Sequence, residues 1–235
     1  MTDADPHVLV PFDPSAPKTR LAPLFDERER RAFAAAMLED VLATLEALDL
    51  PYTVLSKTAH DAVLERSAAV VVDDRPLTTA VNARLAGDLV GEAEPPVPSR
   101  ERPVAVVMAD LPLVTPDALG RLLFAEVDGR HPDVTMAPGL GGGTNALCVR
   151  DGSFRVDYHG ASCRDHREAA RERGLDLATV DSFRLASDID ERADLVEVLL
   201  HGEGTETRRY LRNAGFSLTT GDGRVRVARG GDGSA

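Results

Sequence analysis

Lys18, Asp110, Asp188 and Asp190 have the types and spacing for chemistry on phosphates. Lys18 stands in the proline-rich run Val10-Pro11-Phe12-Asp13-Pro14-Ser15-Ala16-Pro17-Lys18-Thr19-Arg20-Leu21. Apart from Lys57 it is the only lysine in a chain that otherwise uses arginine. A compact ammonium clamps phosphate well; the plainer reading is a solvated surface lysine. Asp110 follows the apolar run Val104-Ala105-Val106-Val107-Met108-Ala109 and precedes Leu111-Pro112-Leu113-Val114-Thr115-Pro116. A short, charge-free, β-branched run reads as a buried parallel strand. Open α/β sheets place their ligands at strand carboxyl ends. A carboxylate emerging there is hydrogen-bonded, ion-paired or metal-bound. Ser187-Asp188-Ile189-Asp190 offers a second acidic site. Two acidic loops at one sheet edge could hold the divalent cation that nucleotidyl transfer needs. Asp190 could equally cap a helix that starts at Glu191 and carries Leu195, Val198 and Leu199.

Two other motifs suit anions. In Gly141-Gly142-Gly143-Thr144-Asn145 the glycines let backbone N–H groups approach a phosphate, or simply turn a hairpin. In Tyr158-His159-Gly160-Ala161-Ser162-Cys163-Arg164-Asp165-His166, Ser162 opens a helix. It can cap that helix or donate to a phosphate at the positive N-terminus. His166, one turn on, either does one of these jobs or is structural. No G-x-S-x-G elbow surrounds Ser162, so it is not read as a hydrolase nucleophile.

The elements that must position these residues follow from periodicity and punctuation. Strands are expected at 7–12, 52–56, 69–72, 104–109, 133–137, 145–150 and 177–180. Helices are expected at 26–48, 77–90, 116–127, 162–173, 191–200 and 206–214. Gly221-Asp222-Gly223 signals a hairpin within 216–227. Strands and helices alternate almost throughout, which predicts a three-layer α/β/α fold with a mostly parallel, Rossmann-like sheet. One domain over residues 1–228 is expected, with an exposed loop at 91–103 and a flexible tail at 229–235.

Composition narrows the function. The chain has 235 residues, 43% of them hydrophobic, and a formal net charge of −12. No basic stripe is visible, so general nucleic-acid binding is not expected. No run approaches the roughly 20 apolar residues of a membrane span, and the acidic start is no signal peptide. Cys148 and Cys163 form no metal-type pair and fit a reducing cytoplasm. An acidic, lysine-poor surface suits a cytoplasm rich in salt, and so a halophilic source.

Taken in order, Val-Pro-Phe…Pro-Lys-Thr-Arg-Leu, Ala-Asp-Leu-Pro-Leu-Val-Thr-Pro, Gly-Gly-Thr-Asn-Ala-Leu, Gly-Ala-Ser-Cys-Arg-Asp-His and Asp-Ile-Asp-Glu-Arg-Ala-Asp-Leu span roughly residues 7–200. Together they resemble the 2-phospho-L-lactate guanylyltransferases of coenzyme F-420 biosynthesis, in their haloarchaeal form. The resemblance implies the nucleotide-diphospho-sugar transferase fold. It implies the reaction of GTP with 2-phospho-L-lactate to give lactyl-2-diphospho-5'-guanosine and pyrophosphate. By that resemblance Val10, Pro11, Phe12 and Thr78 lie near the nucleotide and Lys18 near its phosphates, with Lys18 and Asp110 catalytic. Asp110, Asp188 and Asp190 would hold Mg²⁺, and Thr144 and Ser162 the substrate phosphate. His159-Gly160-Ala161-Ser162 departs from the family's usual Gly-Pro-Gly-Ser, and Leu77-Thr78-Thr79 from its Leu-Asn. Rival readings are a relative acting on phosphoenolpyruvate, a sugar phosphate or the molybdenum cofactor, a non-catalytic GTP-binding regulator, and a scaffold for the pathway's next enzyme. The segment 204–228 lies beyond the strongest match, and a homodimer contact there is left open.

Overall fold

The computed structural model describes residues 5–15, 17–58, 69–87, 102–221 and 223–230. Most of the expected loop at 91–103, the end of the expected helix at 77–90, and residues 231–235 lie outside them.

The strands are β1 (His7–Phe12), β2 (Tyr52–Ser56), β3 (Ala69–Val72), β4 (Val104–Val107), β5 (Val134–Pro138), β6 (Thr144–Val149) and β7 (Leu177–Thr179). They form one sheet in the order β3-β2-β1-β4-β6-β5-β7. Every neighbouring pair is parallel except those of β6, which runs against both β4 and β5. The expected mostly parallel sheet is therefore present with one reversed strand. The glycine turn at 139–143 is short enough to return only as a hairpin.

Helices cover both faces, and the strands show why. Val8 and Val10 of β1 join one apolar cluster, while Leu9 joins the other. Ala105 and Val107 of β4 divide from Val104 and Val106 in the same way. A strand buried on both faces reads as an unbroken apolar run, as these do. The first cluster is covered by α1 (Glu27–Ala47) and α3 (Pro116–Leu123), with Phe33, Met37 and Leu122 fully interior. Asp26 and Glu29 form a capping box at the start of α1, and Thr115 caps α3. The second cluster is covered by α2 (Leu77–Ala86) and α4 (Ser162–Glu172).

Three shorter helices complete the chain: α5 (Phe183–Ala186), α6 (Leu195–His201) and α7 (Glu206–Asn213). A separate hairpin of β8 (Phe216–Gly221) and β9 (Arg224–Arg229) follows. Asp40, on α1, accepts from Glu206 N at 2.7 Å, Thr207 N at 3.0 Å and Thr207 Oγ1 at 2.5 Å. A carboxylate from one helix thus satisfies the free amides of another. Phe216 packs its ring 5.0 Å from that of Phe25, which ties the hairpin to the first cluster.

Sheet direction decides where chemistry can gather. β1 and β4 are parallel neighbours, so the loops leaving their carboxyl ends meet. Because β6 is antiparallel, it begins at that same edge. β5 and β7 also end there.

Candidate active site

Four chain segments converge on this edge. Lys18 leaves β1 with φ 52°, in the left-handed region that non-glycine residues seldom enter, and opens a short 3₁₀ turn, Thr19–Leu21. Leu21 is fully buried and anchors that turn. Asp110 stands in the turn after β4. Thr144 and Asn145 begin β6. The chain from β7 passes through α5 to Ser187-Asp188-Ile189-Asp190. The Ile189 N–H donates to the Asp110 carbonyl at 3.1 Å, and the Ile189 side chain is fully buried. One apolar residue thus pins the second acidic loop to the first and leaves its two flanking aspartates at the site.

Lys18 Nζ lies 2.7 Å from Asp110 Oδ2 and 2.5 Å from Asp190 Oδ1. The lysine side chain is only 10% exposed, and the two carboxylates 28% and 40%. Burial alone would lower the ammonium's pKa. The two carboxylates outweigh it and hold the pKa above the ordinary lysine value, so Lys18 stays charged. Asp188 accepts from Asn145 Nδ2 at 3.0 Å, and the same nitrogen donates to the Leu185 carbonyl at 2.9 Å. A Cβ at position 139 would sit 2.5 Å from Asn145 Oδ1, so Gly139 is what admits this amide. Burial raises the Asp188 carboxyl above its usual range, and the nearby charges of Asp110 and Asp190 push the same way against the Asn145 bond. Three carboxylates face the Lys18 ammonium and one more distant, largely exposed guanidinium, Arg20, 3.8 Å from Asp190 Oδ2, which leaves the centre short of positive charge.

Oxygen donors of this kind suit a hard divalent ion. Among the described residues, no three His, Cys, Asp or Glu side chains stand together as a metal cage. The Lys18 ammonium fills the place between Asp110 and Asp190. Mg²⁺ commonly takes only one or two carboxylates and completes its shell with water and substrate phosphates. Asp110 and Asp190 are both engaged by Lys18 and Asp188 by Asn145, and each has a second carboxylate oxygen to offer such an ion.

Two cavities adjoin the cluster. One, of about 190 Å³, is lined by Pro11, Phe12, Asp13, Pro17, Lys18, Met37, Met108, Asp110 and Asp190. The other, of about 300 Å³, shares Pro11, Phe12, Asp13 and Met108 with it. It extends over the ends of β2 and β3 to Leu55, Lys57, Asp73, Arg75, Leu77 and Ala80. Asp73 is nearly sealed and accepts from Arg75 Nε at 2.8 Å and from Arg84 at 2.5 Å. The Arg75 and Arg84 bonds outweigh burial and hold its carboxyl far below the usual range. Lys57 Nζ lies 2.8 Å from Asp13 Oδ2 at the mouth.

Several expected roles change. Pro11 and Phe12 line both cavities, but Val10 is fully buried in the core, because it lies inside a strand covered on both faces, whereas Pro11 and Phe12 stand at its carboxyl end. Thr78 does not line the cavity; its hydroxyl accepts from the Tyr158 backbone N at 3.0 Å. Asp190 caps no helix. Asp194 Oδ2 takes the N–H groups of Asp190 at 2.9 Å and Glu191 at 2.7 Å, so α6 starts later, at Leu195. Thr144 and Ser162 do meet, with hydroxyls 3.2 Å apart, but both are nearly buried. His166 is fully buried behind them, which rules out direct contact with a ligand at the surface. Lys57, Asp73 and Arg75 carry no motif, and only the rarity of lysine could have drawn attention to Lys57.

Comparison with known proteins bears on what this edge serves. A structure from Desulfovibrio desulfuricans assigned to the nucleotide-diphospho-sugar transferases is similar over 88% of this chain and 94% of that one, with a TM-score of 0.67 at 16% identity. A CMP:2-keto-3-deoxy-manno-octonic acid synthetase complexed with CTP is similar over 83% and 97%, with a TM-score of 0.53 at 10% identity. These likenesses show the fold. In sequence, the 2-phospho-L-lactate guanylyltransferase of Halomicrobium mukohataei is 53% identical over 94% of this chain and 98% of its own. That of Methanoculleus marisnigri is 40% identical over 95% of each. The family model described as guanylyl transferase CofC-like matches residues 6–230. With nearly its whole length matched in this way, the chain belongs to the CofC-like guanylyl transferases.

Proposed function

We propose that this chain transfers the guanylyl group of GTP to 2-phospho-L-lactate, giving lactyl-2-diphospho-5'-guanosine and pyrophosphate, a step of coenzyme F-420 biosynthesis. The observation that carries this reading is the end-to-end identity with relatives named for that activity, 53% for the first of them. The site agrees in kind. It offers a permanently charged, nearly buried ammonium, two adjoining cavities and surplus carboxylates at the carboxyl edge of the sheet.

In this reading a phosphate oxygen of the acceptor attacks the α-phosphorus of GTP. The bond from that phosphorus to the bridging oxygen breaks, and pyrophosphate leaves with its electron pair. No side chain forms a covalent intermediate. Lys18, held by Asp110 and Asp190, faces the larger negative charge of the phosphates and offsets what builds up on the leaving group. Its left-handed backbone and paired ammonium fix it beforehand, so little reorganisation accompanies the reaction. Pro11 and Phe12 form a stiff apolar wall shared by the two cavities. Asp110, Asp188 and Asp190 would hold Mg²⁺, which when bound neutralises phosphate charge and assists departure of pyrophosphate. Thr144 and Ser162 serve the acceptor's phosphate.

The acidic composition and lysine scarcity support a saline cytoplasm as the setting. Among the described residues, no helix is long and apolar enough to cross a membrane. A homodimer through 204–228 is part of the same proposal, and sedimentation equilibrium tests it. The function itself is tested by supplying GTP and Mg²⁺ with 2-phospho-L-lactate, phosphoenolpyruvate or 3-phosphoglycerate in separate reactions. Pyrophosphate release and a new diphosphate signal are expected with 2-phospho-L-lactate. Preference for another acceptor, or release with none, contradicts the reading.

A further inference from the structure

Behind the glycine turn, three interior side chains form a hydrogen-bonded chain that the charge cluster does not touch. His166 Nε2 lies 2.9 Å from the backbone N of Asp157. An amide N–H can only donate, so Nε2 must present a lone pair. The ring's single proton is therefore on Nδ1. Nδ1 lies 2.9 Å from Thr144 Oγ1, so His166 is the donor in that bond. Burial holds the imidazole down at about 4, against the opposing pull of Asp157 and Asp165, so the neutral ring persists near pH 7. The Tyr158 ring stands edge-on to it, 5.3 Å between centroids, and keeps its plane fixed.

This tautomer gives the hydroxyls a direction. Thr144 accepts the hydrogen bond of His166 Nδ1–H and cannot donate back to that nitrogen. Thr144 donates its own proton to Met136 Sδ at 3.8 Å, and Ser162 Oγ donates to Thr144 Oγ1 at 3.2 Å, so the Ser162 proton points at Thr144. A thioether is a weak acceptor, so when an anion draws the Ser162 proton outward, Thr144 can turn its own proton from Met136 to Ser162. Ser162 then has its own proton free to point outward. It is the first residue of α4, where backbone N–H groups also face out. Cys163 N bonds the Gly142 carbonyl at 3.2 Å and joins this helix start to the glycine turn.

We infer that His166 is a positioning residue for the acceptor's phosphate: its Nδ1–H orders the chain His166 to Thr144 to Ser162 and aims the Ser162 hydroxyl at a phosphate monoester. The inference rests on the proposed acceptor reading. It differs from a purely structural role, in which His166 matters only because it accepts the Asp157 N–H.

Two substitutions separate the roles. His166→Asn keeps a donor near the Nδ1 position and loses the acceptor. His166→Gln keeps an acceptor near the Nε2 position and loses the donor to Thr144. Both are compared with wild type at saturating GTP and Mg²⁺, after circular dichroism has confirmed folding. His166→Gln is expected to raise KM for 2-phospho-L-lactate about tenfold, with KM for GTP unmoved, and His166→Asn by no more than about threefold. The reverse order, or equal effects, overturns the inference. Ser162→Ala placed in the His166→Gln protein is expected to add less than it does in wild type, and full additivity overturns it as well. If the histidine variants do not fold, Thr144→Val and Thr144→Ser make the same comparison. Loss of the hydroxyl should raise the acceptor KM and loss of the methyl should not; equal values overturn the inference. Wild-type turnover with 2-phospho-L-lactate is measured first. Its absence refutes the acceptor reading itself, separately from any variant. If a different phosphate monoester supports turnover, the comparison is run on that acceptor with the same expected order.

Discussion

Two charged clusters sit at carboxyl ends within one sheet, and they use the same bonds to different ends. At β3, Asp73 is held by Arg75 and Arg84, with an Arg84 contact of 2.5 Å and side-chain exposures of 1% and 2%. At β1 and β4, Lys18 is held by Asp110 and Asp190 at 2.7 and 2.5 Å, yet the carboxylates are 28% and 40% exposed. The distances are alike; the balance and the access differ. Around Asp73 two guanidiniums answer one carboxylate; Asp73 and Arg84 are sealed, while Arg75 is 29% exposed at the second cavity. Around Lys18 three carboxylates, Asp110, Asp188 and Asp190, share one ammonium and the exposed Arg20 guanidinium, 3.8 Å from Asp190, beside a cavity. A closed, over-answered charge holds structure, because removing a partner strands a buried ion. An open, under-answered cluster is where a charged ligand still has work to do.

The comparison predicts opposite outcomes for the two sites. Asp110→Asn should abolish pyrophosphate release while the protein stays folded, since the lost charge is partly solvated and relieves Asp188. Lys18→Met should lower kcat by about 10²- to 10³-fold, as expected for a charge aimed at the reacting phosphates. Its melting temperature should move little, because Asp110 and Asp190 can reach water. Arg84→Met should do the reverse. It should cost about 3 kcal/mol of unfolding free energy in urea titration, with kcat of the folded fraction near wild type. A smaller effect is expected at Asp40, which belongs to neither cluster. Burial pushes its carboxyl up to about 6, against the bonds from Thr207. A folded-state pKa above the ordinary 3.8 stabilises fully below that value, and the contribution is lost as pH rises through about 6. Unfolding free energy measured across pH 4 to 7 should therefore fall in wild type relative to Asp40→Asn. A parallel course for the two proteins would show that Asp40 does not titrate there.

Much of the architecture is legible in local pattern. β1, β2 and β3 occupy the residues that the apolar runs mark, and α1 falls within one residue of the expected ends. The misses come from tertiary contacts. The α6 start moved to Leu195 because Asp194, rather than Asp190, acts as the side-chain acceptor, taking the Asp190 and Glu191 amides. That same shift frees the Asp190 carboxylate for Lys18. α5 has four residues, too few to show a period. At the site, Lys18 and Asp110 stood out by rarity and by position after a strand. The pairing of Asp73 with Arg84 did not stand out, because nothing in the spacing of two charged residues says that both will be sealed. Val10 was assigned to the nucleotide with its neighbours, yet only the strand's last residues, Pro11 and Phe12, reach the edge, and the unbroken apolar run marks Val10 as interior. His166 was legible as a candidate but not as a buried donor, since its role depends on which backbone amide meets Nε2.

The most direct test measures pyrophosphate release from GTP and 2-phospho-L-lactate for wild type, Asp110→Asn and Arg84→Met in one assay, each rate divided by its folded fraction. The predicted result is an Arg84→Met rate near wild type and no release by Asp110→Asn. A fully active Asp110→Asn protein, or the two variants losing activity together, would contradict the account.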